Sequence, residues 1–242
     1  MGQEPDRYER RRRLLAELGR DPVRLVAARV PPHEAVLDVG CASGSFLSLL
    51  SGARSRVGVD VDARLVGRAR AEVPGATFEI MDAADLRSLE ARFDVVTVLH
   101  TLAHVVDPIA VLQACHDVLT AGGTLVAAVN ASGHLREFWE AVGDPLERED
   151  TDTPQDALLN LVGAVFPGAG LEIVTGRVRA HREALMILAD TYSVPASQVE
   201  RLDRHLESTV EMGTWDVTTR LGIVSAVRSG VSRATMSATE TA

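Results

Sequence analysis

The chain has 242 residues, of which 46% are hydrophobic, and its formal net charge is −9. This length allows one substantial α/β domain with a modest remainder, and no stretch reaches the roughly 20 apolar residues that span a bilayer. The acidic balance argues against a chain-wide basic surface for nucleic acid. The two cysteines, Cys41 and Cys115, are too few for a disulfide framework, and the charged N-terminus does not resemble a signal peptide. We therefore expect a cytoplasmic protein with no membrane partner.

Hydrophobic periodicity predicts two helices, then alternating strands and helices, and finally a more helical region. The predicted strands are 35–39, 56–60, 76–80, 93–99, 124–129, 170–178 and 215–227. The predicted helices are 4–19, 22–29, 46–50, 63–72, 107–119, 132–142, 154–165, 182–191 and 196–211. Gly122-Gly123 should end the helix at 107–119. The alternation indicates an α/β fold in which helices cover both faces of a parallel sheet.

A glycine-containing turn follows the first predicted strand, in the segment VLDVGCASGSF at 36–46. The strand ends near Asp38, and the small residues Gly40, Ala42 and Gly44 follow at alternate positions before a helix begins. Small residues let the backbone approach a ligand closely, and a helix N-terminus offers unpaired N–H groups. Many nucleotide-binding proteins use such a turn, so by itself it indicates only a ligand site.

Acidic residues at the next two strand ends indicate which kind of ligand the glycine turn would bind. Asp60 ends the second strand, where a carboxylate can accept both hydroxyls of a ribose. Asp82 follows the third strand and suits the amino group of an adenine, although an aspartate here can also cap a helix or turn. The glycine turn, Asp60 and Asp82 would then hold the methionine, ribose and adenine parts of one ligand.

Residues 36–130 resemble the class I S-adenosylmethionine-dependent methyltransferases. The resemblance lies in VLDVGCASG, GVDVD, MDAADL, FDVVTVLHTLAHVVDP and the DVLTAGG turn. It implies a Rossmann-like, mostly parallel sheet of seven strands, with an antiparallel seventh strand beside the sixth. Ala42 stands where the family commonly has glycine, which is tolerable if the position needs only a negative φ. The C-terminal half resembles actinobacterial small-molecule methyltransferases, including enzymes of specialised metabolism such as antibiotic biosynthesis.

The resemblance also implies a division of the chain and a set of cofactor contacts. Residues 1–30 would form a helical lid, 31–228 the methyltransferase domain with helical inserts near 131–167 and 180–211, and 229–242 a disordered tail. S-adenosylmethionine is the expected cofactor. Its expected contacts are Asp38, Gly40, Cys41, Ala42, Gly44, Asp60, Val61, Asp82, Ala83 and Leu99. No metal is predicted, because no cluster has metal-ligand spacing.

Two histidines follow the fourth strand, whose carboxyl end faces the donor methyl in this architecture. His100 and His104 are four residues apart, and either could accept a proton because imidazole titrates near neutral pH. A structural alternative is that His104 packs against the next helix. Class I enzymes can lack an obligatory base, because the sulfonium is already an activated methyl donor.

Four residues outside the strand ends are candidates for an acceptor pocket. Tyr8 lies on the N-terminal helix, and His134, Phe138 and Trp139 follow the fifth strand. Aromatic residues at helical spacing are also common in cores. The run Arg10–Arg13 lies beside Glu9 and Glu17 on the same predicted helix and is interpreted as a solvated face.

Several functions remain open at this point. The first is methyl transfer to an oxygen, nitrogen or carbon of a small molecule, and the others are an RNA or protein methyltransferase and a non-catalytic cofactor-binding module. The Asn-Pro-Pro-aromatic motif of nucleic acid and glutamine amino-methylation is absent at Leu99. A dehydrogenase is disfavoured because Gly40-x-Ala42-x-Gly44 departs from the dinucleotide fingerprint. The helices near 182–211 could support a homodimer.

Overall fold

A computed structural model describes residues 4–143, 155–209 and 213–229. The strands are β1 (Ala35–Val39), β2 (Ser55–Asp60), β3 (Thr77–Ile80), β4 (Phe93–Leu99), β5 (Leu119–Asn130), β6 (Gly170–His181) and β7 (Thr214–Val227). The helices are α1 (Glu4–Glu17), α2 (Pro22–Ala27), α3 (Ser45–Ser48), α4 (Ala63–Glu72), α5 (Pro108–Val118), α6 (Arg136–Val142), α7 (Gln155–Val165), α8 (Arg182–Thr191) and α9 (Ala196–Thr209). Short 3₁₀ helices occupy Ala83–Leu89 and Leu102–His104.

The seven strands form one sheet in the order β3-β2-β1-β4-β5-β7-β6. All neighbouring pairs are parallel except those of β7, which runs antiparallel to both β5 and β6. This arrangement confirms the predicted Rossmann-like sheet with an inserted antiparallel seventh strand. The strand order reverses between β1 and β4, and ligands of open α/β sheets bind at the carboxyl ends of the strands beside such a point.

Hydrophobic side chains cover both faces of this sheet because successive strand residues point in opposite directions. On one face, Leu37 and Leu125 pack with residues of α5 and α7. On the other face, Val36 and Val126 pack with residues of α2, α3 and α4. The prediction of helices on both faces is therefore confirmed. No helix in the described ranges combines the length and apolar character needed to cross a membrane.

The paired part of β6 and β7 continues beyond the end of β5. Residues 170–181 pair with 214–225, whereas β5 pairs with β7 only over 124–130 and 221–227. The extension is covered by α1, α6, α8 and α9, which share a second core with it. Leu14 and Leu15 of α1 belong to this core. The N-terminal helix is thus fixed to elements from the far end of the chain.

The region after α5 differs from the prediction. The helix ends at Val118, and β5 begins directly at Leu119, so that Gly122-Gly123 lies inside the strand. The pairing of β4 with β5 shifts between Phe93 and Val95, which leaves the glycines in an irregularity. Gly122 has φ of 80°, a conformation that costs glycine little. The prediction that the glycines end the helix was wrong, because they lie in the irregular part of β5 and not at the end of α5.

The remaining boundaries agree within a few residues. Residues 230–242 of the predicted tail at 229–242, and the segment 144–154 of the first helical insert, lie outside the described residues.

Candidate functional site

The carboxyl ends of the first three strands bring the predicted acidic residues to one edge of the sheet. Asp38 lies in β1, Asp60 ends β2, and Asp82 follows β3. Asp38 is 3% exposed, Asp60 is partly buried, and Asp82 is exposed. The three carboxylates therefore pass from the interior to the surface across neighbouring strands, which suits a ligand lying across those strand ends.

The glycine turn after β1 takes positive φ angles at Gly40, Ala42 and Gly44, of 75°, 46° and 76°. A Cβ on Gly40 would lie 2.1 Å from Thr101 Oγ1, so a larger residue is excluded there. The condition under which Ala42 would be tolerated without cost, a negative φ, is therefore not met. The left-handed conformation costs an L-residue about 1–2 kcal/mol. The Ala42 N–H donates to Asp60 Oδ2 at 2.9 Å, and a charged hydrogen bond of this kind is of comparable size.

Asp60 thus holds the turn as well as facing the site. Its Oδ1 accepts the N–H of Asp62 at 2.9 Å while its Oδ2 accepts that of Ala42. These two bonds fix the carboxylate in one orientation at the end of β2. A fixed carboxylate is a preorganised acceptor for two neighbouring hydroxyls.

Asp38 is the buried member of the set. Thr97 Oγ1 donates to Asp38 Oδ1 at 2.7 Å. Burial raises the pKa of Asp38 to about 7, the Thr97 hydrogen bond opposes this rise, and the charge of Asp60 adds to it. A cation placed beside Asp38 would stabilise the carboxylate and lower this pKa. The amino group of a methionine-like ligand has the charge that would do so.

The segments that follow β2 and β3 offer a ligand one polar and one apolar contact. Asp82 Oδ1 accepts the Ala84 N–H at 2.9 Å, so this oxygen caps the 3₁₀ helix. Val61 is 67% exposed, and Ala83 is 9% exposed. A large apolar side chain this exposed beside Asp60 suits the face of a purine, and the second Asp82 oxygen is the one suited to its amino group.

Cys41 lies beneath the turn. Its side chain is 4% exposed and packs in the core near Gly58, and burial raises the pKa of its thiol. Its side chain therefore supports the turn from below, and a ligand on the outer side would meet its backbone.

A contact from α1 to the glycine turn was missed by sequence reasoning. Ser43 Oγ donates to Glu9 Oε1 at 2.9 Å, and Glu9 is 4% exposed. Arg12 Nε and Nη2 both lie 3.3 Å from Glu9 Oε2, and the Arg12 side chain is 13% exposed. The interpretation of Arg10–Arg13 as a wholly solvated face was therefore wrong for Arg12. The sequence carries no signal for the contact, because its partners are 34 residues apart.

Three of the candidate residues meet above the end of β4. The rings of Tyr8 and His100 have centroids 5.7 Å apart. His134, which is partly buried, lies near enough to His100 for their charges to interact. His100 has φ of 55°, and its N–H donates to the Ala128 carbonyl at 2.8 Å. Leu99, just before it, is partly buried. The structure thus brings together the N-terminal helix, the end of β4 and the segment after β5.

His134 is held as a neutral hydrogen-bond donor. Its Nδ1 accepts the Arg220 N–H at 3.0 Å. Burial lowers the pKa of His134 to about 3, and the charges of His100 and Arg11 act in the same direction. With Nδ1 accepting, the proton of the neutral ring resides on Nε2. Burial also raises the pKa of Tyr8 above its usual value, and the charge of Glu9 adds to this, so Tyr8 too is a neutral donor.

Three other candidates lie elsewhere. His104 is exposed in the 3₁₀ helix Leu102–His104, so burial against the next helix does not explain it. Phe138 is 0% exposed and Trp139 is 7% exposed, and their rings form an edge-to-face pair with centroids 4.8 Å apart. Both belong to the core that includes Leu14 and Leu15, which accounts for the two aromatic residues by packing.

The residues present fit the expected cofactor. Asp60 offers a fixed acceptor for ribose hydroxyls, Asp38 a buried partner for an ammonium, and Val61 an apolar surface for adenine. Within the described ranges, His, Cys, Asp and Glu side chains form no group of three that could hold a metal ion.

A model of a methyltransferase domain matches residues 8–175. The chain belongs to the methyltransferase-domain family. The match begins within α1 and includes the glycine turn, all three acidic strand ends and most of the parallel sheet. Family membership and fold together confirm the resemblance to class I enzymes and their cofactor, S-adenosylmethionine.

Relatives and solved structures agree with the family. The chain is 41% identical over 118 residues to a ubiquinone biosynthesis O-methyltransferase of Xanthomonas campestris pv. campestris, which covers 43% of this chain and 48% of the relative. It is 39% identical over 102 residues to one of Cereibacter sphaeroides, covering 38% and 40%. This methyltransferase-domain chain thus spans about half the length of these relatives or less.

The structural neighbours support the fold alone, because their identities are low. A putative methyltransferase of Bacillus halodurans has a TM-score of 0.61 at 19% identity and covers 89% of this chain and 100% of its own. The plantazolicin methyltransferase BamL, solved with an analogue and SAH, has a TM-score of 0.51 at 11% identity and covers 91% and 97%. The narrower actinobacterial likeness stays a prediction.

Proposed function

We propose that this protein transfers the methyl group of S-adenosylmethionine to a hydroxyl of a small molecule. The observation that carries the proposal is the meeting of two sets of residues at one sheet edge. The acidic strand ends suit the cofactor, and Tyr8, His100 and His134 meet beside them at the end of β4. This is the edge at which an acceptor must approach the cofactor.

The cofactor, when bound, supplies a methyl group already activated by its sulfonium. What remains for the protein is to hold the two reactants in line and to exclude water. Asp38, Asp60 and Val61 would hold the amino, ribose and adenine parts of the cofactor. Helix α1 would cover the turn, since Glu9 reaches Ser43 while Leu14 and Leu15 are fixed in the second core.

The acceptor oxygen needs orientation and the loss of a proton. Neutral Tyr8 and His134 can donate hydrogen bonds to it at any pH near neutrality. Because Nδ1 of His134 is committed to the Arg220 N–H, His134 does not serve as the base. His100 is the group beside them that can take the proton. We therefore assign orientation to Tyr8 and His134 and proton acceptance to His100.

A small acceptor is supported by the net charge of −9 and by the relatives. Two ubiquinone biosynthesis O-methyltransferases match the chain at 39% and 41% identity over 102 and 118 residues. A hydroxyl rather than an amine also fits neutral hydrogen-bond donors, which suit an oxygen that develops negative charge. The narrower class of specialised metabolites, a cytoplasmic location and a homodimer stay predictions.

The proposal is tested first on the cofactor. We expect the purified protein to bind S-adenosylhomocysteine at micromolar strength in calorimetry, and Asp60→Asn to weaken binding by about 1–3 kcal/mol because a charged acceptor is lost. Asp62→Asn is the matched control, because Asp62 caps α4 and asparagine also caps helices. Equal affinity in both variants would remove Asp60 from the ribose site.

The second test is turnover. Release of S-adenosylhomocysteine is followed with a set of phenols, matching anilines and bulk RNA. Methylation of phenols is the expected result. Methylation of RNA would replace the small-molecule proposal, and tight cofactor binding with no turnover on any acceptor would favour a non-catalytic module.

A further inference from the structure

A row of side chains runs diagonally across the strands towards and beyond the acceptor edge of the sheet, on the face covered by α1 and α2. Strand pairing places Asp38 beside Thr97, Leu99 beside Ala128, and Asn130 beside Leu221. Two residue pairs further towards the same edge, Thr219 lies opposite Gly176. Neighbouring strands are about 4.8 Å apart and residues rise about 3.3 Å along a strand, so Thr219 lies roughly 10 Å to the side of Leu99, at the end of β4, and roughly 13 Å beyond it along the strands.

Arg20, in the link between α1 and α2, lies directly on this row. A Cβ on Gly176 would come within 2.1 Å of Arg20 Cζ and Nη2, so the missing side chain is what lets the guanidinium rest on β6. Arg20 Nε and Nη2 are buried and have no hydrogen-bond partner among the described residues. The nearest acid in sequence, Asp21, faces Arg12 and Arg24 instead.

A cavity of about 20 Å³ lies at this point. It is lined by Arg20, Asn130, His134, Thr219 and Arg220, together with apolar residues of α1, α2, β6 and β7. Thr219 is 6% exposed, and its Oγ1 also has no hydrogen-bond partner among the described residues. A space of this size holds a group of two or three atoms and not a whole small molecule.

The edge of a guanidinium formed by Nε and Nη2 presents two parallel N–H groups. This fork matches the two oxygens of a carboxylate, and such pairs are stronger and more directional than neutral hydrogen bonds. A buried guanidinium whose donors are unmet is costly, and an anion that meets them removes that cost. The Thr219 hydroxyl can donate a third hydrogen bond to the same anion.

We propose that this cavity, which we call the Arg20 pocket, receives the carboxylate of an acidic acceptor molecule. The proposal rests on the proposed function for the meaning of acceptor, and it adds the substrate class. His134 lines the Arg20 pocket and also lies beside His100, so one residue connects the carboxylate end with the reacting end. The acceptor is thus a hydroxy acid whose hydroxyl and carboxylate are separated by roughly 16 Å or less.

The test measures binding without turnover. Fluorine NMR compares para-fluorobenzoate with para-fluorobenzamide, two probes of equal shape that differ in charge. The wild-type protein should bind the acid at least about tenfold more tightly than the amide, because only the acid pairs with the guanidinium fork. Equal affinities would overturn the proposal, and this comparison needs no variant.

Two variants and a control locate the binding. Arg20→Gln should abolish the preference for the acid. Gly176→Ala should reduce it without removing the charge, since the added Cβ displaces the guanidinium. Arg24→Gln is the matched control, because this arginine of α2 has a side chain that is 72% exposed and does not line the Arg20 pocket. Equal losses in Arg20→Gln and Arg24→Gln would overturn the proposal.

The result is separable from the proposed function. A preference for the acid that depends on Arg20, found in a protein that transfers no methyl group, would leave the Arg20 pocket standing and remove the enzymatic proposal. Methylation of neutral phenols by a protein that shows no such preference would do the reverse.

Discussion

Replacing Asp38 by asparagine should make the ligand-free protein more stable at alkaline pH. Burial raises the pKa of Asp38 from 3.8 to about 7. Because the folded-state pKa is raised, the contribution of this carboxyl to stability is fully present below about pH 4 and is lost as the pH rises through about 7. The rise of about 3 pKa units, at roughly 1.4 kcal/mol per unit, corresponds to about 4 kcal/mol. Asparagine is neutral throughout and escapes this loss.

The assay is urea unfolding of both proteins at several pH values between about 4 and 9. The two free energies of unfolding should be similar near pH 4, where both side chains are neutral. They should diverge from about pH 4 upwards, and above about pH 7 the difference should level off with Asp38→Asn the more stable by about 4 kcal/mol. Thr97 can still donate to the asparagine oxygen, so the hydrogen bond at this position is kept.

Asp94→Asn is a control for which the expected change in the free energy of unfolding has the opposite sign. Asp94 Oδ2 accepts the N–H groups of Ala35 and Glu34, which hold its pKa below the usual value. Its contribution is present above the unfolded pKa and is lost as the pH falls, so this variant should be the less stable one at neutral pH. If Asp38→Asn instead follows the wild type at every pH, Asp38 ionises normally and its assigned environment is wrong.

Two further predictions concern the residues above the end of β4. His100→Asn should lower kcat by about 10²–10⁴ with little change in S-adenosylhomocysteine affinity, because asparagine tolerates the positive φ but takes no proton; a loss below tenfold across the neutral pH range would make His100 a packing residue. Tyr8→Phe should lower kcat/KM about tenfold through the loss of one hydrogen bond, and a parallel loss of cofactor affinity in calorimetry would show instead that Tyr8 supports the turn.

The sheet and the cofactor residues could be predicted because they follow from local pattern. Alternating strands and helices require a parallel sheet, and parallel strands bring their carboxyl ends to one edge. Asp38, Asp60 and Asp82 therefore had to share an edge once the strands were placed. The family resemblance supplied the position of the antiparallel strand, which the periodicity alone does not determine.

The contacts that complete the site could not be predicted, because they join distant parts of the chain. Glu9 meets Ser43, and Arg20 lies on Gly176, without any periodic signal that links them. The positive φ of Ala42 was hidden for a related reason. The energetic cost of this φ is offset by the hydrogen bond from the Ala42 N–H to the side chain of Asp60, 18 residues away. The local sequence therefore gives no sign of it.

The position of β7 has a consequence for how the protein is made. The last strand of the described chain lies between β5 and β6, so β6 leaves the ribosome before its sheet neighbour exists. The edge of β5 and the whole of β6 then expose unpaired backbone groups, which are prone to pair with other chains. Leu14 and Leu15 likewise cannot be fully buried until α8 and α9, which pack against them, have been synthesised. Co-translational folding can complete the strands that precede β6, but the pairing of β7 with β5 must follow synthesis of Val227.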